Sequence, residues 1–310
     1  MMAGSARAVP YIRQQLGTQG LLSWRRRQLL LAFLFILPAI INFTVFRYIP
    51  IAASIRTSLY EYSLLGGFGD FIGLDHYVRM FSDPTFWKSL QVTALFVLYK
   101  VPIQIVLSLA LAVLLQRETI GAGVVRSAIL TPMVTSVIVV SIIWAMMYHS
   151  QQGLIQSMLG AFGIPRQAFL SNADRALPAI TAMMIWKDLG FSLIILIAGL
   201  KAIPHTYYEA ALVDGANAWE AFRRITIPLL MPVLMFVVVT QAVFSFQVFV
   251  PVYQMTKGGP LDSTKVLVYY IYQQGFRFQD MGYASALSVV ALIILVVISY
   301  LLMRWLRPQT

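Results

Sequence analysis

The chain has 310 residues, 59% of them hydrophobic and only 11% charged, with a mean hydropathy of +0.76. A charged share so far below the roughly 25% of ordinary soluble domains excludes a soluble globular protein and makes lipid the main solvent. The net charge of +11 sits mostly on cations flanking apolar segments, so the expected partner is membrane lipid and not nucleic acid. The absence of cysteine excludes disulfides and thiolate metal sites.

In chain order, residues 1–28 form a basic tail that ends in "SWRRRQ". The apolar run from about Leu29 to Phe46 has the flanks of a secretory signal. It is longer than one, and no small-residue cleavage site follows it, so it reads as an uncleaved anchor. Further runs extend over about Val92 to Leu115, Val125 to Met147, Leu177 to Leu200, Ile227 to Val250 and Tyr283 to Trp305. Each can cross a hydrocarbon core, and none alternates as a barrel strand would, so all are expected to be helices. The fold class expected is an all-α membrane protein with six transmembrane helices. Residues 29–306 form one domain, and residues 307–310 a short tail.

Some of these runs carry polar groups. The second holds Tyr99, Lys100 and Gln104. The fourth holds Lys187 and Asp188 near its middle, in "WKDLGF". Ionisable groups are costly there and face a bundle interior or a watery cavity. Neighbours on a helix point about 100° apart, so these two do not simply neutralise one another. The fifth run offers Gln241, Ser245 and Gln247 beside Phe244 and Phe246. Polar groups for hydroxyls and aromatic faces for apolar ring sides are what sugars require. The competing role is glue between helices, the favoured one for Lys100, Gln104 and Gln247.

Between the fourth and fifth runs lies "EAALVDGANAWEAFRRITIPLLMP", Glu209 to Pro232. Glu209, Ala210, Ala211 and Leu212 favour helix, and Gly215 permits a turn that bulkier residues resist. A second helix resumes with Trp219, Phe222 and Ile225 spaced by three, and Pro228 and Pro232 mark the start of the next span. Two short helices at an angle are expected, apolar on one side with Glu209, Asp214 and Glu220 on the other. By composition alone this is an amphipathic loop lying on headgroups.

Orientation follows from Lys and Arg. The N-terminal tail (Arg7, Arg13, Arg25, Arg26, Arg27), the second-to-third loop (Arg117, Arg126), the fourth-to-fifth loop (Lys201, Arg223, Arg224) and the end of the chain (Arg304, Arg307) share one side. The cations opposite are spread over longer loops. Both termini and the Glu209 loop are therefore expected in the cytoplasm. "GGPLDSTK" lacks the glycine–lysine spacing of a phosphate loop, so the chain supplies no nucleotide site of its own. No metal or nucleophile–base set is apparent, and His76, His149 and His205 fall in loops or span ends, where solvation is expected.

The order Glu-Ala-Ala, three residues, Gly-Ala, then Phe, Ile and two prolines resembles the cytoplasmic "EAA" loop of permease subunits of bacterial ATP-binding-cassette importers. Around it, "GLKAIPHTYYEAA", "MTKGGPLDSTKVLVYYIYQQGF" and "MGYASALSVV" resemble the carbohydrate-uptake branch, relatives of the maltose and glycerol-phosphate permeases. The likeness runs from the first span to the end, without the large outer domain of some maltose permeases. It implies a type I importer permease fold in a bacterial inner membrane, with a coupling loop at about 205–227. Glu209, Ala210, Ala211, Asp214, Gly215, Ala216 and Phe222 would there meet the ATPase.

The partners implied are a second homologous permease, two cytoplasmic ATPase subunits that bind ATP and magnesium, and an extracytoplasmic solute-binding protein. No cofactor is implied on this chain, and no catalytic activity. The resemblance also implies that Trp186, Lys187, Asp188, Phe191, Gln241, Phe244 and Ser245 line the solute site. Lys187 and Asp188 depart from the uncharged residues of the maltose relatives, which points to a charged or phosphorylated solute or to a buried ion pair with the second permease. The alternative is a self-contained carrier or channel, for which the internal repeats common in secondary carriers are not detected.

Overall fold

The computed structural model describes residues 18–116 and 120–305, with the backbone alone for 18–26. The tail before residue 18, Arg117 and residues 307–310 lie outside the described residues. The chain divides into two compact units, Met1–Arg56 and Thr57–Thr310.

The first unit contains α1 (Thr18–Phe43), one π-helical turn (Thr44–Tyr48) and α2 (Ile49–Thr57). Together they give an apolar helix, Arg27–Thr57, long enough to cross a bilayer.

The second unit opens with an antiparallel hairpin, β1 (Tyr60–Ser63) and β2 (Gly67–Phe71), in which Tyr60 faces Phe71 and Tyr62 faces Phe68. Among the described residues this hairpin is the departure from an all-helical chain. There follow α3 (Asp75–Ser82), α4 (Pro84–Leu115), α5 (Ala122–Val134), α6 (Val137–Met147), α7 (Leu154–Ala161) and α8 (Ala173–Lys201). After α9 (His205–Val213) and α10 (Ala218–Ala221), a π-helical turn leads into α11 (Ile227–Phe246). Then come α12 (Val250–Met255), α13 (Leu267–Tyr272) and α14 (Met281–Trp305).

Local chemistry sets the helix starts. The Asp83 carboxylate accepts from the Thr85 N–H at 2.8 Å with Pro84 behind it, and the Asn172 side chain accepts from Asp174 N–H at 2.9 Å. Each takes up a donor that a helix start leaves open, and proline at the first position loses nothing there.

Five helices among the described residues are long and apolar enough to cross a membrane: Arg27–Thr57, Pro84–Leu115, Ala173–Lys201, Ala218–Met255 and Met281–Trp305. The expected continuous span from Val125 to Met147 is corrected. It is two helices, α5 and α6, bent by 101°. Pro132 removes one backbone donor and crowds the turn before it, and Thr135 and Ser136 then adopt extended backbone, with ψ of 149° and 130°. The Thr135 N–H and hydroxyl both donate to Pro132 O, at 3.3 and 2.6 Å, and so satisfy one of the last carbonyls of α5.

The core of this unit forms around α4, α8 and α11. Near their loop-side ends Ala112, Leu193, Leu196, Leu200, Leu230 and Val237 pack together. Toward the other end Val92, Phe96, Ile180, Val252 and Tyr269 form a second cluster. A third joins Phe86, Phe246, Tyr270, Tyr283 and Leu287. Where α5 crosses α8, a Cβ on Gly190 would lie 2.8 Å from Ile129 O, so only glycine allows this approach. Close contact through small residues is how helices gain packing energy in lipid, where the hydrophobic effect between spans is lost.

Candidate functional site

The polar loop is built from its caps. Gly215 has φ +77°, the left-handed conformation that glycine adopts freely. Its N–H bonds Leu212 O at 3.1 Å, and the Ala216 N–H bonds Ala211 O at 2.9 Å. This crossed pair closes the C-terminus of α9. Two residues on, Asn217 starts α10 in a reciprocal cap: its side chain accepts from Glu220 N–H at 2.9 Å, and the Glu220 carboxylate accepts from Asn217 N–H at 3.0 Å. The turn between α9 and α10 is thus fixed from both sides by local hydrogen bonds.

On the surface of this pair Glu209, Asp214 and Gly215 are exposed, Ala211 is buried, and Ala216 and Phe222 are half-buried. Trp219 is 68% exposed and its ring stacks on Phe222 with centroids 5.7 Å apart. Glu220 is held in the cap. Behind the pair lies a cavity of ≈ 630 Å³, lined among others by Leu200, His205, Tyr208, Ala211 and Phe222.

Inside the bundle, Lys100 on α4 is fully buried. Its Nζ lies 2.8 Å from Asp188 Oδ2 on α8, and donates to Gln241 Oε1 at 3.1 Å and Ser245 Oγ at 3.3 Å on α11. Those three acceptors use all three ammonium protons. Gln104 Nε2 donates to Asp188 O at 3.0 Å and to Ser192 Oγ at 3.1 Å, and Gln241 Nε2 donates to Ser192 Oγ at 3.1 Å. One continuous network therefore ties α4, α8 and α11 together. Asp188 is the more open member of the ion pair, its side chain 24% exposed against 0% for Lys100.

Lys187 points elsewhere. Its Nζ donates to Met133 O at 3.5 Å, at the C-terminal end of α5, where the helix dipole is negative. Trp186 is 43% exposed and packs on Trp144 of α6 at 5.4 Å. It also lines an apolar cavity of ≈ 660 Å³ with Tyr99, Ile103, Leu107 and Ile185. Phe191 meets Phe244 edge-on at 6.2 Å. The structure thus brings Asp188, Gln241 and Ser245 into one network and Phe191 and Phe244 into one pair, and it sets Trp186 and Lys187 on the α5–α6 side. Lys100 and Gln104 cross-link helices, while Gln247 is exposed.

A second buried cluster sits at the end of the bundle opposite the loop. Asp83 Oδ2 accepts from the Tyr270 hydroxyl and, at 2.8 Å, from the Tyr283 hydroxyl. Gln274 Nε2 donates to Tyr270 Oη at 2.8 Å. Burial alone would raise the Asp83 carboxyl, but the two tyrosines and the N–H groups of Thr85 and Phe86 outweigh it and hold the carboxyl below its ordinary value. Burial, aided by the bond to Asp83, pushes the Tyr270 phenol up to about 12. Alongside, Arg79 pairs with Asp280 at 2.7 Å and covers the Tyr283 ring. His149 and His205 are exposed, but the solvated environment expected for His76 is corrected. It is buried against Tyr283, its Nε2 3.2 Å from Tyr60 O.

A bundle of long apolar helices carrying a polar helix–turn–helix at one end and a buried polar network across its middle defines a membrane permease. Residues 104–310 match the family described as "binding-protein-dependent transport system inner membrane component", and the chain belongs to that family, the permease subunits of ATP-binding-cassette importers.

It is 34% identical over 281 residues to the sulfoquinovosyl glycerol transport system permease protein SmoG of Agrobacterium fabrum, covering 90% of this chain and 91% of that protein. It is 36% identical over 275 residues to the lactose transport system permease protein LacF of Rhizobium radiobacter, covering 87% and 91%. Among solved structures, a chain of the bacterial alginate ABC transporter in complex with alginate pentasaccharide-bound periplasmic protein superposes with a TM-score of 0.77. That chain is 25% identical, with coverage of 91% of this chain and 95% of that one.

Proposed function

We propose that this chain forms half of the translocation pathway for a sugar or sugar-like solute. It works with a second, similar permease, two cytoplasmic ATPase subunits and an extracytoplasmic binding protein. Residues 29–306 make up the permease domain, with both termini and the loop at about 205–227 in the cytoplasm. The solutes for which these relatives are named, sulfoquinovosyl glycerol and lactose, support the solute class.

The observation that carries the coupling role is the doubly capped Gly215 turn. A loop that only lay on headgroups needs no fixed angle, whereas one that transmits force between subunits does. Glu209, Asp214 and Trp219, its ring stacked on the half-buried Phe222, stand exposed on it as contact groups for an ATPase. Within the bundle, Asp188, Phe191, Phe244 and Trp186 face the solute, Gln241 and Ser245 act through Lys100, and Lys187 holds the end of α5.

The test is co-expression of this chain with its partner permease and ATPase genes, followed by purification and reconstitution. Hydrolysis of ATP by the complex should rise when a solute-loaded binding protein is added from outside. A chain that purifies without an ATPase and still moves sugar in vesicles would sink the reading.

A further inference from the structure

We propose that Lys100 is a positioning residue for solute selection. It compensates the Asp188 charge from behind and leaves the carboxylate as the open face, so that this level of the pathway takes neutral, hydroxyl-rich solutes and disfavours anionic ones. The inference rests on the reading that Asp188 lines the pathway.

Three observations carry it. First, the pair is asymmetric: the cation is sealed and the anion is partly open. A solute arriving at the pair meets a hydrogen-bond acceptor, which suits sugar hydroxyls and repels phosphate or carboxylate groups.

Second, the ammonium has no donor to spare, because Asp188, Gln241 and Ser245 take all three protons. Lys100 cannot itself grip a solute without releasing one of them. Asp188 uses Oδ2 for Lys100, and among the described residues no donor reaches its Oδ1.

Third, the polar groups around the pair are also turned inward. Gln104 gives Nε2 to the Asp188 carbonyl and to Ser192, and its Oε1 is buried without a partner. That orphan is another acceptor with no donor among the described residues, so the unsatisfied capacity in this network is for donors such as hydroxyls. Lys187, the other cation at this height, is spent on Met133 O.

Binding is read on the full complex of this chain with its permease and ATPase partners in nanodiscs. Working without the solute-binding protein keeps that protein's own selectivity out of the result. The probes are neutral disaccharides (lactose, maltose, trehalose) and two anionic sugars (galacturonate and glucose 1-phosphate), used as radiolabelled ligands.

The wild-type complex should prefer at least one neutral sugar over both anions by tenfold or more. Asp188→Asn should weaken neutral binding about tenfold and narrow the preference. Lys100→Met, which strips the compensating charge, should lower anion binding further and widen it. A purely structural pair cannot shift the preference in opposite directions from its two ends. Where Lys100→Met fails to assemble, Lys100→Met with Asp188→Asn should restore the complex without restoring neutral affinity.

Several results would overturn the proposal: tighter binding of the anions than of all neutral sugars by wild type, no detectable neutral binding, or a preference that responds to Lys187→Met and not to Lys100→Met. Unchanged neutral affinity in Asp188→Asn would instead remove Asp188 from the pathway, which is the failure of the underlying reading. Recovery of both assembly and affinity in the double variant would reduce the pair to a helix clamp.

Discussion

Replacing Gly215 by valine tests the coupling loop most directly, since it changes backbone preference without filling space. A Cβ at this position meets no atom within 4 Å, so steric overlap contributes nothing. The cost comes from φ +77°, where a side chain presses on its own carbonyl. That conformation costs an ordinary residue roughly 1–2 kcal/mol, and β-branching puts valine at or above the upper end. A penalty of about 2 kcal/mol lowers the population of the native turn roughly 30-fold, since about 1.4 kcal/mol is tenfold. The bonds Gly215 N–H to Leu212 O and Ala216 N–H to Ala211 O go with it, and α9 and α10 lose their fixed angle. In proteoliposomes, uptake and solute-stimulated ATP hydrolysis should fall together by about an order of magnitude, while the permease pair still assembles. Gly215→Asn, which tolerates the left-handed region, should keep most of both. Wild-type stimulation in Gly215→Val would refute the reasoning, as would equal losses in the asparagine and valine variants.

Two further outcomes follow from the charge distribution. A reporter fused after Thr310 and one inserted beside Gly215 should both report cytoplasm, and reporters near Gly67 or Gly259 should report the outside; the reverse pattern sinks the orientation. At the opposite end of the bundle, Tyr270→Phe removes a hydrogen bond to an ionised carboxylate, worth about 1.5–3 kcal/mol, and should lower the melting temperature of the purified complex. The lowered Asp83 value stabilises the fold above its ordinary value of 3.8 and is lost as pH falls through the lowered one. The raised Tyr270 value contributes fully below the ordinary 10.0 and is lost as pH rises through about 12. The melting difference between wild type and Tyr270→Phe should therefore stay constant from about pH 5 to 9, and a difference that changes within that window contradicts the assignment.

Much of the architecture was legible because hydropathy reports burial in lipid directly. The windows from Leu177 to Leu200 and from Tyr283 to Trp305 fall within the helices Ala173–Lys201 and Met281–Trp305. The errors at the ends have a cause: Pro84 to Gln91 and Ala218 to Thr226 are helical but polar, so an apolar window stops short of them. The α5–α6 break was signalled by Pro132 and Ser136, yet a uniformly apolar composition conceals where a helix bends. Gly215 declared its turn in the sequence. The cap on the far side, Asn217 with Glu220 three residues later, is a readable pattern that Trp219 and Phe222 drew attention away from. The intramembrane site was legible only as an inventory. Lys187 and Asp188 are adjacent, but the partner of Asp188 is Lys100, 88 residues earlier, and such pairing depends on how three helices meet. Ser192 gives no sequence signal at all, since a single serine in a span is common.

The 101° elbow between α5 and α6 also decides where the lipid annulus can run. Hydrocarbon offers nothing to hydrogen-bond an opened backbone, and Thr135 and Ser136 leave the helical conformation there; Pro132 O takes the Thr135 N–H and hydroxyl, Met133 O the Lys187 ammonium, and Ser136 O the Val140 N–H. An elbow of this kind is therefore expected to sit against protein, water or headgroups and not against acyl chains. A preparation of this subunit alone would cover the elbow with water or detergent headgroups, so its solubility in mild detergent should depend on whether a second membrane subunit accompanies it.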